Sequence, residues 1–248
     1  MNILFVCALP VELNALKWQI KDLEKKWDNF LFLTSWVWSY NTIYELQRYL
    51  DSHSVDFIVN IGVCWVDPDL KRTPSLLQVY RIKNLSSLKE SVTPLYISIG
   101  SLSSIWCSEK IITNKQDLLG ESFVDMESYG IDFIATKLKI PYVILKIPFD
   151  RVSEESRKVD TRILTWSFES IDYETLLSEL RDFWWNKLKT QQISIEKYLA
   201  HYRFTFSEKE ILKKMSKKYQ VLHGDFDVFF EKNKELPKKE FLFRLQSL

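Results

Sequence analysis

The sequence predicts an α/β fold, a three-layer sandwich with a central, mainly parallel mixed sheet, followed by a helical C-terminal extension. Over roughly residues 1–155, short apolar runs of strand length alternate with segments of helical periodicity. The first run, Ile3–Leu9, is apolar throughout, as in a parallel strand buried on both faces. After about Asp160 only helical patterns follow. We therefore expect an α/β domain at 1–160 and helices at 161–248.

The predicted elements follow from the spacing of apolar residues. Val11–Lys26, for example, has an apolar residue every three or four positions, with charged residues between them. The predicted strands are Ile3–Leu9, Phe30–Leu33, Phe57–Ile61, Leu76–Ile82, Leu95–Ile99 and Tyr142–Ile147. The predicted helical segments are Val11–Lys26, Tyr40–Leu50, Lys115–Leu119, Met126–Leu138, Ile171–Leu188, Ser194–His201 and Glu208–Tyr219. The last of them is expected to begin at a capping box formed by Ser207 and Glu210.

Composition argues against several classes of function. The 248 residues include 34 basic and 33 acidic side chains, and a net charge of +1 provides no field to attract nucleic acid or an anionic membrane. The longest apolar runs, such as Ile140–Pro148, are too short to span a bilayer, and the first residues form an apolar strand instead of a signal peptide. Cys7, Cys64 and Cys107 are scattered among apolar neighbours, as expected of buried, reduced thiols. We expect a cytoplasmic protein without a metal or an organic cofactor.

Acidic residues stand at three places where an α/β sheet binds ligands. Glu12 follows the first strand, Glu127 begins a helix within Val124-Asp125-Met126-Glu127-Ser128, and Asp150 follows the strand that starts at Tyr142. Three carboxylates at one crevice indicate chemistry on a small molecule. Each acid also has a structural explanation. Glu12 and Glu127 suit helix N-termini through the dipole, and Asp150 suits a turn.

Four segments together resemble the nucleoside phosphorylase superfamily, and most closely the methylthioadenosine/S-adenosylhomocysteine nucleosidases and futalosine hydrolases. The family patterns are an apolar strand leading to a glutamate, then D-x-x-I-N-x-G-x-A-G, V-D-M-E-S/A-A and P-F-x-x-x-R-x-I-S-D. The matching segments are Ile3–Leu13, Val55–Gly62, Phe123–Ser128 and Ile140–Asp150. The resemblance covers roughly residues 1–155, and the helical region after Asp160 only begins inside the terminal helix of the family.

The resemblance implies a nucleosidase that hydrolyses the N-glycosidic bond of a purine-type nucleoside or a related compound. Glu12 would orient and deprotonate the attacking water, and Asp150 would protonate the base so that it leaves neutral. Glu127 would accept hydrogen bonds from the ribose hydroxyls, with Met126 beneath the sugar. The other implied substrate-binding residues are Asp125, Phe149, Lys146, Val63 and Cys64. Because no glycine-rich phosphate loop follows the first strand, the expected nucleophile is water. Members of the family commonly form dimers, so the resemblance also implies a homodimer.

Tryptophans stand where the family has glycines. The S-G-I-G-K turn of the family falls at Ser35–Ser39, so that Trp36 and Trp38 replace residues whose missing side chain lets the backbone approach a ligand. We expect these two tryptophans in the core or at an interface, because they alternate like one face of a strand. The glycine-rich end of the third strand becomes Gly62-Val63-Cys64-Trp65.

Two further changes affect the last motif. Lys146 replaces an arginine and keeps the charge without the planar fork, and Phe149 replaces a small serine. With the tryptophans, these changes leave a second interpretation open. In that interpretation the protein is catalytically degenerate and either senses a ligand or binds a protein partner through residues 160–248.

Overall fold

The computed structural model describes residues 1–153, 161–191, 196–223 and 226–246. These residues form two compact units, Met1–Leu180 and Arg181–Leu248. The strands are β1 (Asn2–Cys7), β2 (Asn29–Thr34), β3 (Phe57–Val66), β4 (Leu77–Asn84), β5 (Glu90–Val92), β6 (Ser101–Cys107), β7 (Phe123–Asp125) and β8 (Tyr142–Arg151). The helices are α1 (Pro10–Ile20), α2 (Ser39–Leu50), α3 (Ser128–Leu138), α4 (Thr161–Glu169), α5 (Tyr173–Gln191), α6 (Glu196–His201), α7 (Phe206–His223), α8 (Phe226–Asn233) and α9 (Lys238–Gln246), with a 3-10 turn at Lys115–Leu118.

The eight strands form one mixed, mainly parallel sheet. Its order is β2-β1-β3-β7-β6-β4-β5, and β8 pairs with both β3 and β4. The antiparallel pairs are β3 with β7, β4 with β5, and β4 with β8, and the other pairs are parallel. Because β8 joins β3 to β4, the strands β3, β8, β4, β6 and β7 close into a ring, from which β1 and β2 extend. The predicted α/β fold with a central mixed sheet is confirmed.

Helices cover the sheet in two groups. The first group is α1 and α4, which pack together and contact β1, β2 and β8, and the second is α2 and α3, which pack together against the same sheet. Both faces of β1 are buried, because Leu4 and Val6 share a core with Leu46 of α2 while the intervening Phe5 packs against Phe30. The continuous apolar run at the start of the chain is therefore a central strand, as predicted.

Two predicted elements, Leu95–Ile99 and Val11–Lys26, differ clearly from the structure, and the first difference has an identifiable reason. The segment Leu95–Ile99 is a loop rather than a strand, because the side chain of Gln78 takes the place of a strand neighbour. Its amide donates to Ile97 O and accepts from Ile99 N–H, both at 2.8 Å. The strand β6, which pairs with β4 and β7, was not predicted because its polar start, Ser-Leu-Ser-Ser, lacks a strand pattern. Helix α1 ends at Ile20, six residues before the predicted end.

The second unit has its own aromatic core. Helices α8 and α9, which the sequence pattern did not predict, contribute several of its residues. The buried members are Tyr198, Phe204, Leu212, Phe226, Phe229, Phe230, Phe241, Leu242 and Leu245. The capping box at α7 uses Thr205 and Glu208, with Glu208 Oε2 accepting from Thr205 N–H at 2.7 Å, so the predicted pair of Ser207 and Glu210 was wrong.

Part of the predicted helix Ser194–His201 lies outside the described residues. None of the helices that the structure describes is long and apolar enough to cross a membrane.

Candidate active site

A fully buried lysine connects β8 to the segment between β7 and α3. Lys146 Nζ lies 2.7 Å from Asp125 Oδ2 and 3.3 Å from Glu127 Oε2. The side chains of Lys146 and Asp125 are completely inaccessible, and that of Glu127 is 7% exposed. Lys146 of β8 therefore lies next to two residues of the V-D-M-E-S segment, Asp125 and Glu127.

Glu12 is fixed by backbone donors on two elements. It lies in the first turn of α1 and is buried. Its Oε2 accepts from Leu9 N–H at 2.8 Å, and its Oε1 accepts from Val63 N–H of β3 at 3.1 Å. The first bond is the helix-terminus role that the sequence left open. The second bond directs the carboxylate towards β3, and a residue that only caps a helix would not need this bond.

Gly62 allows Glu12 and Lys146 to approach the same point of β3. A Cβ atom at this position would lie 3.3 Å from Glu12 Oε1 and 3.6 Å from Lys146 Nζ. Gly62 is also the cross-strand neighbour of Lys146. We refer to Glu12, Asp125, Glu127 and Lys146 as the charged cluster. Its members come from three separate places in the sequence.

The charged cluster holds one ammonium group among three carboxyl groups. Burial is the main cause that raises the pKa of Glu127, to about 8, and repulsion from Asp125 and Glu12 adds to it although Lys146 opposes it. Burial also raises the pKa of Glu12, against the two backbone hydrogen bonds. For Lys146 burial lowers the pKa, but attraction from Asp125 and Glu127 outweighs it, and the net shift is upward. Lys146 therefore stays charged near neutral pH, and Glu127 keeps its proton to a higher pH than an ordinary glutamate.

The two carboxylate oxygens of Asp125 differ in their hydrogen bonding. Its Oδ2 also accepts from Ser128 N–H at 3.0 Å and from Ser128 Oγ at 2.5 Å. Among the described residues its Oδ1 is buried without a hydrogen-bond partner. A buried acceptor without a partner next to a charged group is where a ligand or water donor is expected. Ser128 closes the V-D-M-E-S motif, and this role of its side chain was not predicted.

Met126 is buried between these acids, and the turn before α2 reaches it. Ser39 Oγ donates to Met126 O at 3.4 Å and lies 3.2 Å from Cys107 Sγ. The three cysteines are buried and free, as predicted. The turn at Ser35–Ser39 is therefore attached to the segment that carries Glu127.

Trp36 and Trp38 do not occupy a strand. Their φ angles are 60° and 77°, in the left-handed region that favours glycine. Trp36 is 50% exposed, so it does not lie in the core, and the alternative of an interface position stays a prediction. The turn thus has positive φ angles that glycine adopts freely, although both positions are tryptophans. The ring of Trp38 stacks on that of Tyr40, with centroids 6.0 Å apart.

Asp150 lies four residues beyond Lys146 on β8. It is partly buried, and burial raises its pKa. Its Cα is in register with Trp65 of β3, whereas the Cα of Lys146 is in register with Gly62. Of the other predicted site residues, Cys64 is buried with a raised pKa, Phe149 is partly buried, and Val63 supplies the N–H that Glu12 accepts.

The sequence matches no family model and no curated protein. Solved structures do match. The methylthioadenosine/S-adenosylhomocysteine nucleosidase of Campylobacter jejuni superposes with a TM-score of 0.58 and 14% identity, over 73% of this chain and 99% of that one. A futalosine hydrolase mutant of Helicobacter pylori gives 0.60 and 12%, over 74% and 98%. The Chlamydia trachomatis nucleosidase bound to adenine gives 0.53 and 16%, over 71% and 99%.

The chain has the nucleosidase fold. The fold expected from the four sequence segments is thereby confirmed. The matched share of about 73% equals that of the first unit, 180 of the 248 residues. At these identities the nucleosidase fold is common to the proteins, while the activities named above belong to the matched proteins.

Proposed function

We propose that the protein is an N-ribosyl hydrolase that uses the charged cluster and Asp150 to cleave a nucleoside or a related compound with water. The observation that carries the proposal is the convergence of Glu12, Glu127 and Lys146 in a buried site. Burying several ionised groups is costly, and replacing such clusters by apolar residues often stabilises a protein. Perturbed pKa values in a buried cluster of this kind are typical of functional sites.

The two glutamates suit different parts of the reaction. Cleaving an N-glycosidic bond develops positive charge on the sugar, which a carboxylate stabilises. Glu127, held by Lys146, accepts hydrogen bonds from the ribose hydroxyls, with Met126 below the ring. Glu12, oriented by the N–H groups of Leu9 and Val63, takes the proton of the attacking water.

Asp150 assists the leaving group. Four residues of strand separate its Cα from that of Lys146 by about 13 Å at most, and the register irregularity between the two shortens that span. A nucleoside extends over a comparable distance from its sugar hydroxyls to the far side of its base. The raised pKa of Asp150 favours the protonated form that donates to the base.

Release of ribose from a panel of ribonucleosides tests the proposal. A reducing-sugar assay detects the product whatever the leaving group is. We expect turnover by the unaltered protein and a loss of about 10²–10⁴-fold in Asp150→Asn, the range typical of general acid catalysis. Turnover that Asp150→Asn leaves unchanged would contradict the role of Asp150.

A second function is favoured by the tryptophans at glycine positions. A catalytically degenerate protein would bind a ligand without cleaving it, or bind a partner through residues 160–248. It would show no ribose release, but a nucleoside would raise its melting temperature. Turnover at ordinary enzyme rates would contradict it.

The same proposal includes a homodimer. Aromatic side chains are exposed on and beside α2 and α3, which is typical of an interface. They are Trp36, Tyr40, Tyr44 and Phe133. Light scattering on the purified protein tests this assembly, and a monomer at micromolar concentration would contradict it.

A further inference from the structure

The central sheet fixes the backbone of both residues in the buried ion pair between Asp125 and Lys146. Asp125 is the last residue of β7, and its Cα is in register with that of Cys107 on β6. Lys146 lies in the middle of β8, in register with Gly62 of β3. Glu127 lies beyond the end of β7 and directly precedes α3. Strand pairing therefore holds the ion pair, and Glu127 approaches it from outside the sheet.

The ammonium group is closer to Asp125 than to Glu127. The distance from Lys146 Nζ is 2.7 Å to Asp125 Oδ2 and 3.3 Å to Glu127 Oε2. Asp125 Oδ2 is kept in place by Ser128, whose N–H donates to it at 3.0 Å and whose Oγ donates at 2.5 Å. A lysine ammonium is a compact charge without the planar fork by which arginine binds two acceptors at once. Lys146 is therefore the closer partner of Asp125 and the more distant partner of Glu127.

Asp125 acts on Glu127 in two ways. Its negative charge repels an ionised Glu127, and its hold on Lys146 reduces the attraction that the ammonium exerts on Glu127. Both effects are strong because all three side chains are buried, where charges are poorly screened. Both favour a proton on Glu127, in agreement with its raised pKa of about 8. Without the charge of Asp125, Glu127 would become the nearest carboxylate to the ammonium.

The other titratable groups around Glu127 would not be altered by a change at Asp125. Glu12 of α1 also repels it. Three thiols interact with it as well, and burial raises the pKa of each, so that they stay neutral over the relevant pH range. They are Cys7 of β1, Cys64 of β3 and Cys107 of β6. Among the described residues, the charges that govern the ionisation of Glu127 are therefore those of Asp125, Lys146 and Glu12.

We propose that Asp125 is a positioning residue: by holding the ammonium of Lys146 it raises the pH at which Glu127 becomes ionised, and it thereby sets the pH range in which the site binds ribose. This inference rests on the proposed function of Glu127 as the acceptor for the ribose hydroxyls. An ionised carboxylate accepts from two hydroxyls with both oxygens, whereas a protonated one turns one oxygen into a donor. Below the titration midpoint of Glu127, ribose binding should therefore strengthen by up to about tenfold per pH unit.

Carbon-13 NMR of the full-length protein, labelled at the side-chain carboxyl of glutamate, follows the titration of Glu127 without any need for turnover. The resonance of Glu127 is the one that is missing in Glu127→Gln. We expect Asp125→Asn, which keeps the shape and removes the charge, to lower the midpoint by at least about one pH unit. Asp22→Asn makes the same change at an exposed side chain and should leave the midpoint unaltered. Asp125→Ser, which places no amide donor beside the ammonium, replaces Asp125→Asn if that variant does not fold.

The pH profile of ribose release connects this titration to function. In the unaltered protein kcat/KM should rise as Glu127 ionises, and in Asp125→Asn this rise should occur at lower pH, by the same interval as the NMR midpoint. KM rather than kcat should carry the shift, because the ionised form is needed for binding. A purely structural role of Asp125 would lower the rate at every pH without moving the rise.

Two results would overturn the proposal. One is an NMR midpoint of Glu127 in Asp125→Asn within about 0.3 pH unit of that in the unaltered protein, a difference far below that expected for loss of a neighbouring charge. The other is a lowered midpoint with no movement of the pH profile, because ribose binding then does not depend on the ionisation of Glu127. The proposed function fails separately. A lowered midpoint, without ribose release by the unaltered protein at any pH, refutes hydrolysis while the control of Glu127 by Asp125 holds.

Discussion

Lys146 Nζ and Asp125 Oδ2 form a 2.7 Å ion pair in which neither side chain is accessible to solvent. Such a pair adds little net stability, because desolvation offsets the attraction, whereas loss of one partner leaves a buried charge uncompensated. Here Glu127 would also be left without its cation. Substitution of either residue is therefore expected to change stability as well as function.

Lys146→Met is expected to lower the free energy of unfolding by about 3–5 kcal/mol, the range found when one partner of a buried pair is removed. Urea denaturation followed by fluorescence measures the change. Lys137→Met, at an exposed position on α3, is the matched control and should change stability by less than about 0.5 kcal/mol. Equal effects of the two substitutions would show that Lys146 is not paired as described.

The raised pKa of Glu127 predicts the pH dependence of stability. Between the ordinary glutamate pKa and about 8, the folded protein keeps a proton that the unfolded chain releases. The stabilisation is complete below the unfolded pKa and is lost as pH rises through the folded one, so stability should fall from about pH 5 to 8. Glu127→Gln removes this proton release, and the slope should decrease by up to about 1.4 kcal/mol per pH unit.

The slope should not vanish in Glu127→Gln, because the pKa values of Glu12 and Asp150 are raised as well. Asp22→Asn makes the same chemical change at an exposed side chain and should leave the slope unaltered. A Glu127→Gln slope equal to that of the unaltered protein would contradict the assigned proton.

The backbone at Trp38 predicts a difference between two small replacements. Its φ of 77° and ψ of 139° lie in a region that glycine adopts readily and that costs other residues about 1–3 kcal/mol. Trp38→Gly and Trp38→Ala both lose the ring and its stacking on Tyr40, so their comparison isolates the backbone. Thermal unfolding should show the glycine variant to be more stable by about 1 kcal/mol or more. The reverse order would mean that the turn relaxes to negative φ.

Gly130 predicts how closely α2 and α3 must pack. A Cβ atom there would lie 2.5 Å from Ser39 O, which is backbone and cannot turn aside. Gly130→Ala should therefore lower stability by about 1–3 kcal/mol despite the better helix propensity of alanine. Since Ser39 also contacts Met126, activity should fall with it. The control is Lys137→Ala on the exposed face of α3, and calorimetry of both variants provides the comparison.

Periodicity and motif order predicted the sheet and the positions of Glu12 and Glu127 at the ends of elements, because apolar runs reveal where strands end. The loop at Leu95–Ile99 was not predicted, since only its hydrogen bonds to the side-chain amide of Gln78, distant in sequence, distinguish it from a strand. The turn at Trp36 and Trp38 was not predicted either. Tryptophan favours strands, and a positive φ at such a residue arises from the surrounding structure alone.

The site was predicted in part. Local sequence indicated the acids, but the burial of Lys146 and the approach of Glu12 to Gly62 depend on three elements meeting in space. The raised pKa of Glu127 follows from that geometry and from no single motif.

Ribose release by Glu12→Gln tests the central claim most directly, because this change keeps the size of the side chain and removes the base that accepts the proton of water. The unaltered protein and the control Asp22→Asn should release ribose from a ribonucleoside substrate at equal rates. Glu12→Gln should be slower by about 10²–10⁴-fold while remaining folded. Ribose release at an unchanged rate in Glu12→Gln would contradict the assignment of the charged cluster as the active site.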